Sequence, residues 1–147
     1  MPRLAVLLLL TSPLCAQAWC FSEAAREYSL PPDLLRAIAH VESRSRADAL
    51  HVNRNRSEDV GAMQINSVHF PLLKTVGIDR TMLLTDPCLN VRTGAWVLAT
   101  GVKKHGYTWR AVASYNPGDP GYIDRVWDAY RNRAWLGQAN TPKKPAS

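Results

Sequence analysis

Apolar residues recur at three- and four-residue spacings along most of the chain, and strict alternation is rare, so the pattern predicts a mainly α protein with a minor extended component (α+β). Ser22 can cap a first short helix over residues 22–28, and Pro31-Pro32-Asp33 opens a second that runs to about residue 43. Residues 47–59 are polar and irregular, whereas 60–65 are apolar enough to cross the core as a strand or extended segment. Asn66 or Ser67 can begin another helix. Asp86-Pro87 sets a cap before a proline at the first helical position, predicting a longer helix to His105 that Gly106 stops. Thr108 caps the next helix, which must end near Asn116 because Pro117 disfavours helical geometry in the residue before it. Asp119-Pro120 starts the last helix, with Tyr122, Val126, Trp127 and Tyr130 on related faces.

One position breaks the pattern of the second helix. At about 100° per residue, Leu34, Leu35, Ile38, Ala39 and Val41 share one arc, and Asp33, Arg36 and His40 the other. Glu42 falls inside the apolar arc. A carboxyl aimed inward at the negative end of a helix loses hydration, and both effects raise its pKa towards the range of a general acid. Two readings stay open at this point: an inward acid, or a side chain that frays to solvent or pairs with Arg44 or Arg46. Two further clusters, residues 61–66 and 114–118, set Gln64, Asn66 and Asn116 beside apolar residues. Uncharged amides suit the hydroxyl and acetamido groups of a sugar chain, while Gln64, Asn66 and Asn116 serve equally as turn or helix caps.

The N-terminus has the layout of a secretory signal: Arg3, an apolar run over residues 4–10, then Ala16-Gln17-Ala18 as a small-x-small cleavage site. That run is too short for a membrane anchor, which needs about 20 residues. Cleavage after Ala18 removes Cys15 and lowers the formal charge of +6 by one. Cys20 and Cys88 remain, and outside the cytoplasm a disulfide between them is expected rather than two free thiols. The 147 residues leave room for one domain, placed at 19–136, followed by a basic tail over 137–147.

Glu42-Ser43, Asn53-Arg54, residues 59–66 (Asp-Val-Gly-Ala-Met-Gln-Ile-Asn) and 114–118 (Ser-Tyr-Asn-Pro-Gly) together resemble the soluble lytic transglycosylases, specifically the small exported ones that accompany secretion, conjugation and pilus machines. The resemblance spans roughly residues 20–130. It implies a single-domain lysozyme-like fold with a glycan-binding groove, and cleavage of peptidoglycan between N-acetylmuramic acid and N-acetylglucosamine to a 1,6-anhydro product. Glu42 matches the catalytic acid, Met63 and Gln64 match positions lining the groove, and Tyr115 and Asn116 match the motif beside the acid and sugar; Asn66 joins this substrate-binding set. Ala62 stands where the family commonly has Leu, Ser114 and Pro117 where Ala is commoner, and Arg56 where a turn glycine is frequent.

The same residues also allow rival functions. Asp59, seventeen positions after Glu42, is the best second carboxylate for a hydrolytic muramidase, and its spacing resembles that of animal lysozymes. A non-catalytic peptidoglycan-binding adaptor would keep the groove alone. Nucleic acid is not an expected partner, because Arg44, Arg46, Arg54 and Arg56 read as a solvated face. His40, His51, His69 and His105 lack metal-ligand spacing, and the reaction needs no cofactor. The expected setting is the periplasm, with peptidoglycan strands as substrate, a transport machine as partner and no stable membrane span.

Overall fold

A computed structural model describes residues 19–139. Helices α1 (Phe21–Glu27) and α2 (Pro32–Ser43) lead into a small sheet of β1 (Leu50–Val52), β2 (Glu58–Val60) and β3 (Ile65–Asn66). A 3₁₀ turn, Ser67–His69, then precedes α3 (Phe70–Thr75), α4 (Arg80–Thr85), α5 (Pro87–His105), α6 (Trp109–Ala113) and α7 (Tyr122–Asn132), and a second 3₁₀ segment spans Ala134–Ala139. This mainly helical domain with a small antiparallel sheet is consistent with the lysozyme-like superfamily. No helix among the described residues is long and apolar enough to cross a membrane.

The central helix α5 forms where proline and aspartate predict it. The Asp86 side chain accepts from the Leu89 N–H, Pro87 takes the first position, and Gly106 ends the helix at φ +69°. α5 packs on α1, α4 and α6, while α2 packs on α1 and α7. Between them lie Leu35, Ile38, Val91, Leu98 and Val126, each with at most 1% exposure. Burial of each such side chain contributes roughly 1.5–3 kcal/mol, so these contacts fix how the ends of α2 and α7 face one another.

Several boundaries differ from the sequence expectation. Cys20, joined to Cys88, holds the N-cap position of α1, and Ser22 lies within the helix, where its hydroxyl accepts from Arg36. Residues 60–65 do not cross the core as one segment. Val60 ends β2, the chain turns through Gly61 (φ +75°) and Gln64 (φ +48°), and Ile65 pairs back antiparallel to Val60. β1 was hidden in the polar stretch because all three of its residues are exposed, which leaves no alternation to read. Its pairing sets Leu50, His51 and Val52 opposite Val60, Asp59 and Glu58, and Arg56 turns the hairpin at φ +68°, the conformation a glycine takes most readily. Helix α4 was not expected; Asp79 caps it by accepting from the Met82 N–H.

Asn66 caps the Ser67–His69 turn, as one reading of it allowed. Thr108 occupies the N-cap of α6 but gives its hydroxyl to the His105 carbonyl. α7 starts at Tyr122, after Gly121, because Asp119 instead accepts from the Gly121 N–H and pairs with Arg125. The 3₁₀ segment Ala134–Ala139 crosses the expected boundary between domain and tail. The expected signal, 1–18, and the tail beyond residue 139 lie outside the described residues.

The expected bridge between Cys20 and Cys88 forms, with Cα atoms 5.1 Å apart and a sequence separation of 68. Closing a loop of that size removes denatured-state entropy equivalent to roughly 4 kcal/mol. Reduction, or the double substitution Cys20→Ser with Cys88→Ser, should therefore lower unfolding stability in urea by about 2–4 kcal/mol with the helical circular dichroism retained.

Candidate active site

Glu42 sits in the last turn of α2, and the way that helix ends decides where the carboxyl points. Arg44 and Ser45 both take left-handed conformations (φ +57°), and their N–H groups bond back to the His40 and Ala39 carbonyls. The buried Ser43 hydroxyl reaches the Ala62 carbonyl at 2.7 Å and accepts from the Arg46 N–H, tying the helix end to the turn after β2. The two nearby cations are committed elsewhere: Arg44 donates to His40 Nε2 at 2.9 Å, and Arg46 Nε to the Ser43 carbonyl at 3.2 Å. Glu42 makes no ion pair among the described residues. Instead its Oε1 accepts from the Tyr122 hydroxyl at 2.6 Å.

Tyr122 was not foreseen as part of the site. It is buried at the start of α7 (1% exposed), and a buried phenol needs a hydrogen-bond partner, which was the available signal. Its ring stacks on Tyr115, with centroids 6.4 Å apart and planes 4° off parallel. The Tyr115 hydroxyl donates to the Met63 carbonyl at 2.8 Å, and the Met63 N–H donates to Asn90 Oδ1 at 2.8 Å. Asn90, fully buried on α5, also donates through Nδ2 to the carbonyls of Val60 (2.9 Å) and Leu83 (3.1 Å). One side chain thus serves three backbone groups, and Gly61 leaves the room it needs: a Cβ there would meet Asn90 Nδ2 at 2.1 Å.

The other expected site residues divide by what their side chains are free to do. Met63 is wholly buried over Gly94, so its side chain is core and offers no surface to a groove; its backbone is the part that serves the site. Gln64 is partly buried and its Nε2 donates to the Gly61 carbonyl at 2.8 Å, leaving Oε1 uncommitted among the described residues. Both ends of the Asn66 amide are engaged, Nδ2 with Asp59 at 2.7 Å and Oδ1 with the Val68 N–H at 2.9 Å. The partly buried Asn116 amide has no hydrogen-bond partner among the described residues. Asp59 accepts on both oxygens, from Asn53 at 2.8 Å and from Asn66. His40, expected on the polar arc, is instead buried (7% exposed); burial first and Arg44 second lower its pKa. Glu42 lines neither of two cavities, of about 350 and 410 Å³, found elsewhere on the domain.

Residues 19–140 match the family described as the Transglycosylase SLT domain. The chain belongs to the SLT family of lytic transglycosylases. It is 45% identical over 115 residues to an Escherichia coli protein named X polypeptide, covering 78% of this chain and 68% of that one. It is 40% identical over 124 residues to the invasion protein IagB of Salmonella typhimurium (78% of each chain), and 39% identical over 118 residues to protein IpgF of Shigella flexneri (80% and 78%). This transglycosylase is therefore an enzyme that cleaves the glycan strands of peptidoglycan as a lyase.

The electrostatics of the transglycosylase favour a neutral acid. Burial pushes the Glu42 carboxyl up to about 7, opposed by the Tyr122 hydrogen bond and by Arg125, and assisted by the charges of Asp59 and Asp119. With Glu42 as the acid, activity should fall about tenfold per pH unit above about 7 as the carboxyl ionises. Tyr122→Phe removes a donor that favours the carboxylate, so it should move that limb to higher pH while lowering the plateau rate, measurable in a pH profile of kcat/KM. Linkage gives a second expectation. A folded pKa above the unfolded value means that the Glu42 contribution to stability is fully present below pH about 4.5 and is lost as pH rises to about 7. Glu42→Gln, which never ionises, should accordingly be more stable than wild type at pH 8 by about 2–3 kcal/mol, and not at pH 4, in paired thermal melts.

Proposed function

We propose that Glu42 alone performs the acid and base steps of this lytic transglycosylase. The supporting observation is a partly buried carboxyl held by one phenol, while Asp59, the best second carboxylate, is bonded on both oxygens, to Asn53 and Asn66. Protonated Glu42 gives its proton to the glycosidic oxygen as the bond from the muramoyl anomeric carbon to that oxygen breaks. The carboxylate left behind then takes the proton of the muramoyl 6-hydroxyl while O6 closes on the anomeric carbon. The N-acetylglucosamine end leaves with its new hydroxyl, the muramoyl end becomes 1,6-anhydro, and no water is consumed. In the second half the Tyr122 hydroxyl steadies the carboxylate.

The glycan groove in this reading runs past the end of α2, the turn at 61–64 and the loop at 114–118. Gln64 Oε1 and the Asn116 amide supply the polar groups for hydroxyl and acetamido recognition. Met63, Asn66 and Tyr115 act beneath that surface, by holding the turn and the loop in place. Residues 1–18 serve as the export signal to the periplasm, and 137–147 as a basic tail after the domain. The likeness to an invasion protein supports local opening of the wall for a secretion, conjugation or pilus apparatus.

Digestion of purified sacculi followed by mass analysis tests the reaction. Wild type and Asp59→Asn should both yield 1,6-anhydromuramoyl ends, and Glu42→Gln should lose about 10²–10⁴-fold in rate. Hydrated reducing ends alone would overturn the single-carboxylate mechanism in favour of a muramidase, and equal digestion by Glu42→Gln would remove Glu42 from the chemistry. Binding without digestion by wild type would support the adaptor instead.

A further inference from the structure

We infer that the cavity between the end of α5, α6 and the start of α7 is a subsite for the acidic stem peptides carried by peptidoglycan strands. Its volume of about 350 Å³ falls at the small end of ligand sites, roughly 300–1,000 Å³. His105, Arg110, Ser114, Pro117, Asp119 and Ile123 contribute to its wall. The inference rests on the reading of this chain as a peptidoglycan-cleaving enzyme and adds which form of that substrate it prefers.

Charge and position carry the assignment. Arg110 is exposed, and its guanidinium has no ion pair or hydrogen bond among the described residues; the His105 ring has none either. The one acid on the wall, Asp119, is already paired with Arg125 through both carboxylate oxygens. The cavity therefore presents uncompensated positive charge, and a planar guanidinium fork recognises a carboxylate with two parallel hydrogen bonds. While its lactyl carboxyl is held in the amide to a stem, the muramoyl sugar offers no such anion, and the free carboxylates of the strand are those of the stem peptides. Position ties the cavity to the reaction. Ser114, Pro117 and Asp119 belong to the same loop that presents Tyr115 and Asn116, and the charges of Asp119 and Arg125 both reach Glu42. A strand lying over that loop would bring its stem against Arg110 without displacing any described hydrogen bond.

The test compares kcat/KM on sacculi that carry stems with kcat/KM on the same glycan strands stripped of stems by an amidase, the lactyl carboxyls thereby freed being capped again as simple amides. Wild type should prefer the stem-bearing strands, and Arg110→Ala should lower that preference about tenfold, mainly through KM, with Arg110→Lys restoring part of it. Thermal melts of the variants should match wild type because the side chain is exposed. A preference ratio unchanged by Arg110→Ala, or a loss of the same size on both substrates, would overturn the subsite. Failure of the underlying reading appears separately, as equal cleavage by wild type and Glu42→Gln or as no anhydro ends from either substrate.

Discussion

The hydrogen bonds of Asn90 are the constraint on which the site geometry depends. A turn that leaves a sheet as small as this one has few neighbours to hold it, and the turn at 61–64 has backbone groups buried against a helix that cannot pair with them. One amide solves this by accepting from the Met63 N–H and donating to the Val60 and Leu83 carbonyls. It thereby fixes the Met63 carbonyl, on which the Tyr115 hydroxyl rests, and so orients the loop that carries Asn116. From Tyr115 the contact passes by ring stacking to Tyr122 and by a hydrogen bond to Glu42. Removing a member of a buried, satisfied network leaves its partners without hydration, at about 1–3 kcal/mol for each orphaned group. Rigidity of the acid is therefore maintained from α5, a helix that contributes no side chain to the carboxyl itself.

Two close approaches make that arrangement possible. Gly61 admits the Asn90 amide, and Gly94 admits Met63, whose atoms would lie 2.7 Å from a Cβ at that position. The turn can sink onto α5 only because both glycines lack a side chain, one on each partner of the contact. Burial of Met63 and engagement of Asn66 leave Gln64 Oε1 and the Asn116 amide as the polar groups of these two segments without a partner among the described residues.

Local chemistry accounts for what the sequence made legible. Pro32 and Pro87 at helix starts, Asp86 as a cap and Gly106 as a stop act within a turn of where they stand, and the helices they predict are present. The angle of Glu42 to Leu34 and Ile38 on one helix made an inward carboxyl one of two readings, and its bond to Tyr122 is the one found. The features that escaped reading depend on partners distant in the chain. Tyr122 and Glu42 are 80 residues apart, and Asn90 and Val60 are 30 apart. His40 lies on the side of α2 expected to be polar and is nevertheless buried, because neighbouring elements cover it. The sheet was missed for a different reason: β1 is exposed throughout, so pairing rather than burial defines it.

The sequence distance between Glu42 and its phenolic donor also divides the site between two parts of the chain. The disulfide encloses residues 20–88, so the acid and all three strands lie inside the covalent loop, whereas Tyr115 and Tyr122 lie outside it. Without α7, Glu42 has no Tyr122 hydroxyl to align it. Under the proposed role of Glu42, a chain that ends before Tyr122 lacks the group that steadies its carboxylate.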